Sequence, residues 1–217
     1  MNFLIDKLPH HVDIDGVKYS INHDFKTSIR FELLIQNNPL PPPKNPEHAL
    51  KMKEIVEKSL LLYYDTIPHN VDLAIDKILW FYRGGIENQS KQDNQHGCSI
   101  GQRLYSFDYD KAMIFSAFYQ QYGLDLTEKN LHWWTFKALF ENLTDDTLFG
   151  KVKYYRGVEI NSNMSKSEQK RIRKLKEFYA LPLTESEQKQ LEEFENALAN
   201  GDISQFEEGQ SCNLMEV

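Results

Sequence analysis

Six bases crowd into one short stretch of this chain. Lys166, Lys170, Arg171, Arg173, Lys174 and Lys176 stand against Glu168 and Glu177, a net +4 between positions 161 and 177. Guanidinium and ammonium groups at that density are equipped to meet carboxylates or phosphates. Positions 184–217 carry nine acids against Lys189, a net −8, so a matching opposite charge lies a few residues downstream. The total of −7 is therefore mainly C-terminal, and positions 1–160 carry only −3. A net acidic balance argues against a chain that coats nucleic acid as a whole. The adjacent indoles of Trp133 and Trp134 are the other groups suited to a partner, by stacking, although on an apolar helix they also read as core.

Signs of catalysis are thin. His132 sits between Leu131 and Trp133, where an aromatic shell would lower its pKa, but no Ser or Cys at useful spacing marks a nucleophile for it. Its expected role is structural. Asp108 with Asp110, and Asp145 with Asp146, read as acids at helix starts, where the dipole favours them. His10 and His11 are neighbours, and neighbours on an extended segment face opposite ways, a poor arrangement for one metal ion. Gly84-Gly85 lacks the Lys-Ser/Thr and helix start of a phosphate loop. Cys98 and Cys212 are far apart in polar surroundings, which fits a reducing compartment better than a disulfide. No catalytic residue, cofactor or metal is expected.

The elements that must position these groups are mostly helices. Val12 to Ile21 alternates apolar and polar residues around Asp15-Gly16, the signature of a tight β-hairpin. Asp24 caps a helix from Phe25 to about Ile35, with Phe25, Ile29 and Leu33 as its inward stripe. The Pro39 to Pro46 run ends it. A second helix spans 47–64 on Met52, Ile55, Val56, Ser59, Leu60 and Tyr63. A third follows the cap Asn70, with Val71, Ile75, Ile78, Leu79 and Tyr82 inward, and stops at Gly84-Gly85. Residues 86–102 show no periodicity and read as a loop. Ser106 is expected to open a helix that Gly123 ends. Asp125 to Glu128 has capping-box spacing before a helix over 129–142, apolar nearly all round, that should form the core. Leu148, Phe149, Val152 and Tyr155 mark a shorter helix. The capping boxes at Ser165 and Thr184 predict helices over about 166–180 and 185–199, each with one narrow apolar seam.

The expected fold is therefore mainly α: a helical core over residues 1–160 with a short N-terminal β-hairpin, a charged helical hairpin over 161–200 and an acidic tail over 201–217. With 217 residues, 41% hydrophobic and 12% aromatic, a sizeable core is available and wholesale disorder is excluded. The run of about 18 apolar residues that a membrane helix needs is missing, as is an export leader, so the chain is expected to stay in the cytoplasm.

Particular runs also carry a resemblance. Tyr105-Ser-Phe-Asp-Tyr-Asp, Ala117 through Leu126, Leu131-His-Trp-Trp-Thr-Phe-Lys-Ala-Leu139 and Tyr155-Arg-Gly157 are similar to the bacteriophage tail protein family encoded just upstream of the tape-measure protein in long-tailed phages and prophages of Gram-positive bacteria. Ala74-Ile75, Trp80-Phe81-Tyr82 and Lys174 through Pro182 agree with it, so the resemblance spans roughly residues 12–183. It implies a tail assembly chaperone, non-enzymatic and prone to self-association. Such a protein binds the tape-measure protein, keeps it soluble while tail-tube protein polymerises, and is absent from the finished virion. On that reading Trp133, Trp134, Lys170, Arg171, Arg173 and Lys174 are the partner-binding residues, with the Pro39 to Pro46 loop, the 86–102 loop and the charged hairpin as contact surfaces. Two other readings stand beside it: a nucleic-acid-binding prophage regulator acting through 166–176, and an enzyme centred on His132 and the neighbouring acids.

Overall fold

The computed structural model describes residues 4–86 and 103–184, together with Gln188, Glu192, Glu195 and Asn196. The chain divides into two compact units, Met1–Leu181 and Pro182–Val217. Two strands and seven helices are found among the described residues, all in the first unit. In the second, Gln188, Glu192, Glu195 and Asn196 are helical, and the Gln188 amide donates to the Thr184 carbonyl. The acidic tail over 201–217 and most of the second arm of the charged hairpin lie outside the described residues.

The hairpin forms where its alternation places it. β1 (His11–Ile14) pairs antiparallel with β2 (Val17–Ser20), Ile14 opposite Val17. Asp15 and Gly16 both take positive φ, 53° and 79°, the geometry that matches the twist of a two-residue connection. Val12 and Ile14 point inward against the core while Asp13 and Lys18 face solvent.

α1 (Phe25–Gln36) starts where Asp24 accepts from the Lys26 amide at 2.8 Å. Of the stripe Phe25, Ile29 and Leu33, only Phe25 is buried, and the deep side is Phe25, Thr27, Ser28 and Phe31. Small hydroxyl residues let α2 (Glu47–Tyr63) come close, with Ser28 Oγ 2.8 Å from the Tyr63 hydroxyl, and Phe31 meets Tyr63 and Tyr82 edge-on. α2 buries Ile55, Ser59, Leu60 and Tyr63 from its predicted stripe. α3 (Val71–Tyr82) is capped by Asn70, which also donates to Asp15 and so ties the hairpin turn to this helix. Its inward residues are Ala74, Ile78 and Phe81, a stripe turned away from Val71, which is exposed.

Two helices begin later than the sequence suggests. α4 (Lys111–Tyr122) starts five residues past Ser106, because residues 106–110 form a turn in which the Asp110 carboxylate folds back onto the Ser106 amide at 3.0 Å. Gly123, at φ 65°, ends α4 as expected. α5 (Trp133–Glu141) does not use the Asp125 capping box. Asp125 instead bonds the amide and hydroxyl of Thr127 in a local turn. Residues 131–133 pair across to residues 23–25: the Phe25 amide donates to the Leu131 carbonyl at 3.0 Å and the Trp133 amide to the His23 carbonyl at 2.7 Å. A backbone committed to that bridge cannot also be helical, so α5 begins only at Trp133. α6 (Leu148–Gly157), capped by Thr147, and α7 (Lys166–Phe178), capped by Ser165, complete the unit.

Phe136 on α5 is the ring around which the core assembles. It stacks on Phe25 at 4.7 Å and Phe118 at 5.0 Å between centroids, joining α1 and α4 through α5. It is fully buried. Replacing Phe136 with Ala is expected to cost about 3–5 kcal/mol, read as a lower midpoint in denaturant unfolding followed by far-UV circular dichroism. Gly85, at φ 83°, lies under Trp134, and a Cβ there would sit 2.6 Å from the indole. Gly85→Ala therefore combines backbone strain with a clash and is expected to destabilise more than Gly16→Ala, whose position is open.

Candidate partner-binding surface

The cationic face of α7 is held in place from beneath by one buried arginine. Arg156 on α6 donates both terminal nitrogens to the Asp110 carboxylate, at 2.6 and 2.9 Å, with the two side chains 3% and 0% exposed. Two further N–H groups reach the Leu104 carbonyl at 3.0 Å and the Tyr179 carbonyl at 2.6 Å. Gly157 allows the Leu104 side chain to approach, since a Cβ there would lie 3.3 Å from it. The same arginine thus fixes the start of α4, the segment before it and the end of α7.

α7 adds three attachments of its own. Ile172 is buried, Lys176 Nζ donates to the Val158 carbonyl at the end of α6 at 3.0 Å, and Tyr179 stacks nearly parallel on Tyr155. Lys176 is therefore partly structural, satisfying a helix-end carbonyl. On the opposite side Lys166, Lys170 and Lys174 recur every four residues, with Arg171 and Arg173 flanking them, and all five are exposed. None of the five has a carboxylate within ion-pair distance among the described residues. From the C-terminal end of α7 four rings run in series back to α6, Phe178–Tyr179–Tyr155–Tyr154, and the outer two, Tyr154 and Phe178, are 51% and 77% exposed. Cations that are unpaired among the described residues, with exposed aromatics at the end of the helix, form a surface able to take carboxylates and apolar side chains together.

The tryptophans do not join it. Trp133 and Trp134 are 3% and 0% exposed, and their indole N–H groups donate to the Tyr82 and Phe81 carbonyls at 2.7 and 2.6 Å. Both are core residues with satisfied polar atoms, which removes them from any surface a partner can touch in this conformation. Lys170, Arg171, Arg173 and Lys174, by contrast, are all displayed. Asp108 is an exposed acid at 3.0 Å from Lys111. Cys98, Cys212 and residues 87–102 of the expected loop lie outside the described residues.

His132 is the N-cap of α5. Its Nδ1 accepts from the Trp134 amide at 3.1 Å, and its Nε2 is 3.0 Å from the Pro9 carbonyl, so the proton is on Nε2 and the ring is neutral. Burial, the largest cause, holds this ring below the ordinary histidine pKa; the bond to Pro9 opposes that, while His23 and His10 add to it. Two histidines distant in sequence surround it: His10 lies 4.0 Å from His23 and 5.8 Å from His132, ring to ring. No spacing in the sequence signals that meeting. The described residues contain no group of three or more His, Cys, Asp or Glu arranged to hold a metal ion.

The described unit is helical, displays exposed cations on α7, and engages both ring nitrogens of His132 with backbone. The family model for the bacteriophage Gp15 protein matches residues 4–181, and the chain belongs to this family. It is not a known enzyme family. No curated protein and no solved structure matches the chain. No helix among the described residues is long and apolar enough to cross a membrane. Residues conspicuous in the sequence, Tyr105 to Asp110 and Tyr155 to Gly157, meet in the Arg156–Asp110 site.

Removing Asp110 leaves a guanidinium buried without its counterion. Asp110→Ala is expected to cost about 3–5 kcal/mol, while Asp110→Leu combined with Arg156→Met costs less, both read as unfolding midpoints in guanidinium chloride.

Proposed function

We propose that this phage protein is a non-enzymatic tail assembly chaperone that binds the tape-measure protein, keeps that client soluble while tail-tube protein polymerises around it, and works in the host cytoplasm. The observation supporting this reading is the outer face of α7: five exposed cations, none within ion-pair distance of a carboxylate among the described residues, with the exposed Phe178 ring ending the same helix and Tyr154 exposed on α6. A long helical client offers many amphipathic segments, each able to place carboxylates along the Lys166–Lys170–Lys174 row and an apolar side chain on the rings. Single contacts of this kind are weak, and self-association of the chaperone would multiply them along one client. Weak, repeated contacts also let polymerising tube protein displace the chaperone.

A second reading rests on the same cations, which suit phosphates as well as carboxylates: a nucleic-acid-binding prophage regulator. The two separate on the role of the rings and on salt. A phosphate-dominated complex with duplex DNA weakens steeply and uniformly with salt and does not need Phe178.

Co-expression with the tape-measure protein of the same phage tests the proposal. The wild-type chain is expected to raise the soluble fraction of the client. Exposed ion pairs contribute about 0.2–1 kcal/mol each, so Lys170→Glu, Arg171→Glu, Arg173→Glu and Lys174→Glu together should weaken client capture roughly tenfold or more while leaving the circular dichroism spectrum unchanged. Client solubility indifferent to the wild-type chain would overturn the function. Capture unchanged by the four charge reversals would overturn the assignment of α7, and tight binding of duplex DNA by the wild-type chain alone would favour the regulator.

A further inference from the structure

Three segments converge on His132. The chain before β1 contributes His10 and the Pro9 carbonyl, the chain before α1 contributes His23 and Asp24, and α5 begins at the ring itself. The remaining ring neighbours, Phe81 of α3 and Trp134 of α5, are uncharged. Among the described residues Asp24 is the acid that faces the group, beside His23, and one of its oxygens is already engaged by the Lys26 amide. The three imidazoles thus sit ring to ring, at 4.0, 5.3 and 5.8 Å, with little compensating negative charge.

Hydrogen bonding specifies the protonation state of the central ring. Nδ1 must accept from the Trp134 amide and Nε2–H must donate to Pro9. A proton added at Nδ1 turns that acceptor into a donor facing another donor and places positive charge at the N-terminus of α5, where the helix dipole already is positive. We propose that His10, His23 and His132 form a proton-sensitive latch, in which protonation of His132 at Nδ1 breaks its cap on the Trp134 amide and frays the first turn of α5, while the Nε2–H bond to Pro9 is kept. Trp133 and Trp134 sit in that first turn, so opening the latch reaches the core through the two residues that lock α5 onto the end of α3.

The sign follows from the burial of the rings. Burial and mutual repulsion lower the pKa of His132 and of His23 in the folded protein, with Asp24 opposing for His23. The open state therefore binds more protons than the closed one. Latching is complete above the ordinary histidine pKa of about 6.5 and is lost as pH falls through it toward the lowered values.

The test uses the full chain, with histidine ring signals and Trp134 amide exchange followed by NMR from about pH 8 to pH 5. In the wild type, Trp134 protection, corrected for intrinsic exchange, is expected to fall several-fold as His132 titrates, with a parallel change in tryptophan fluorescence. His132→Asn keeps a capping oxygen but has nothing to titrate, so the acid step should vanish. His10→Asn with His23→Asn leaves His132 in place without its neighbours, and its titration should move to higher pH. His11→Asn, outside the cluster, should change neither. A wild type whose Trp134 protection is flat across this range would overturn the latch, as would an acid step that persists in His132→Asn. If His132→Asn fails to fold, an unmoved His132 titration in the His10→Asn/His23→Asn protein would overturn it instead.

Discussion

A single buried guanidinium holds the C-terminal half of this fold in register. Arg156 is worth burying only because Asp110 meets it with both oxygens and because two backbone carbonyls accept from two more of its N–H groups. Neither partner tolerates the loss of the other, since an unpaired charge in so dry a place costs several kcal/mol. The consequences spread outward from that constraint. Asp110 is turned toward the guanidinium and the Ser106 amide, makes no side-chain cap for α4, and the helix starts late. Tyr179 is drawn to α6, and with it the end of α7, so the cationic face is oriented by a contact on its hidden side.

The other half of the unit is organised by aromatic geometry. Phe136 stacks between Phe25 and Phe118, and the indoles of Trp133 and Trp134 span to the last carbonyls of α3. Buried aromatics contribute large apolar area, but Trp requires a partner for its N–H, and carbonyls at the end of a helix have accepting capacity to spare, that of Phe81 taking the Trp134 indole as well as the Gly84 amide. Gly85 completes the fit, because the indole of Trp134 occupies the space where any side chain at that position would lie. Stability and the position of α5 thus come from the same contacts.

Surface and core divide their work sharply. The core uses nearly every aromatic in reach, whereas α7 buries Ile172 and displays lysines and arginines on its far side. A helix so thinly anchored by apolar area would be marginal alone, and Arg156 and Lys176 supply polar anchors to backbone in its place. Membership of the bacteriophage Gp15 family covers both halves and stops at residue 181, the last residue of the first compact unit.

Much of this was determined by local sequence. The hairpin at Asp15-Gly16, the caps Asp24, Asn70 and Ser165, the stop at Gly123 and the seven helical segments each depend on side-chain and backbone chemistry within a few residues, so they are readable without the fold. The exposed cations of α7 were legible for the same reason, since an apolar stripe on one side leaves the other to solvent. Tertiary structure decided what depends on distant segments. The bridge between residues 23–25 and 131–133 overrode a well-spaced capping box and made His132 the true start of α5. The pairing of Asp110 with Arg156, the gathering of His10 and His23 around His132, and the burial of both tryptophans likewise join residues dozens of positions apart. Local spacing carries no record of which distant groups will meet, because that choice is made by packing the whole core at once.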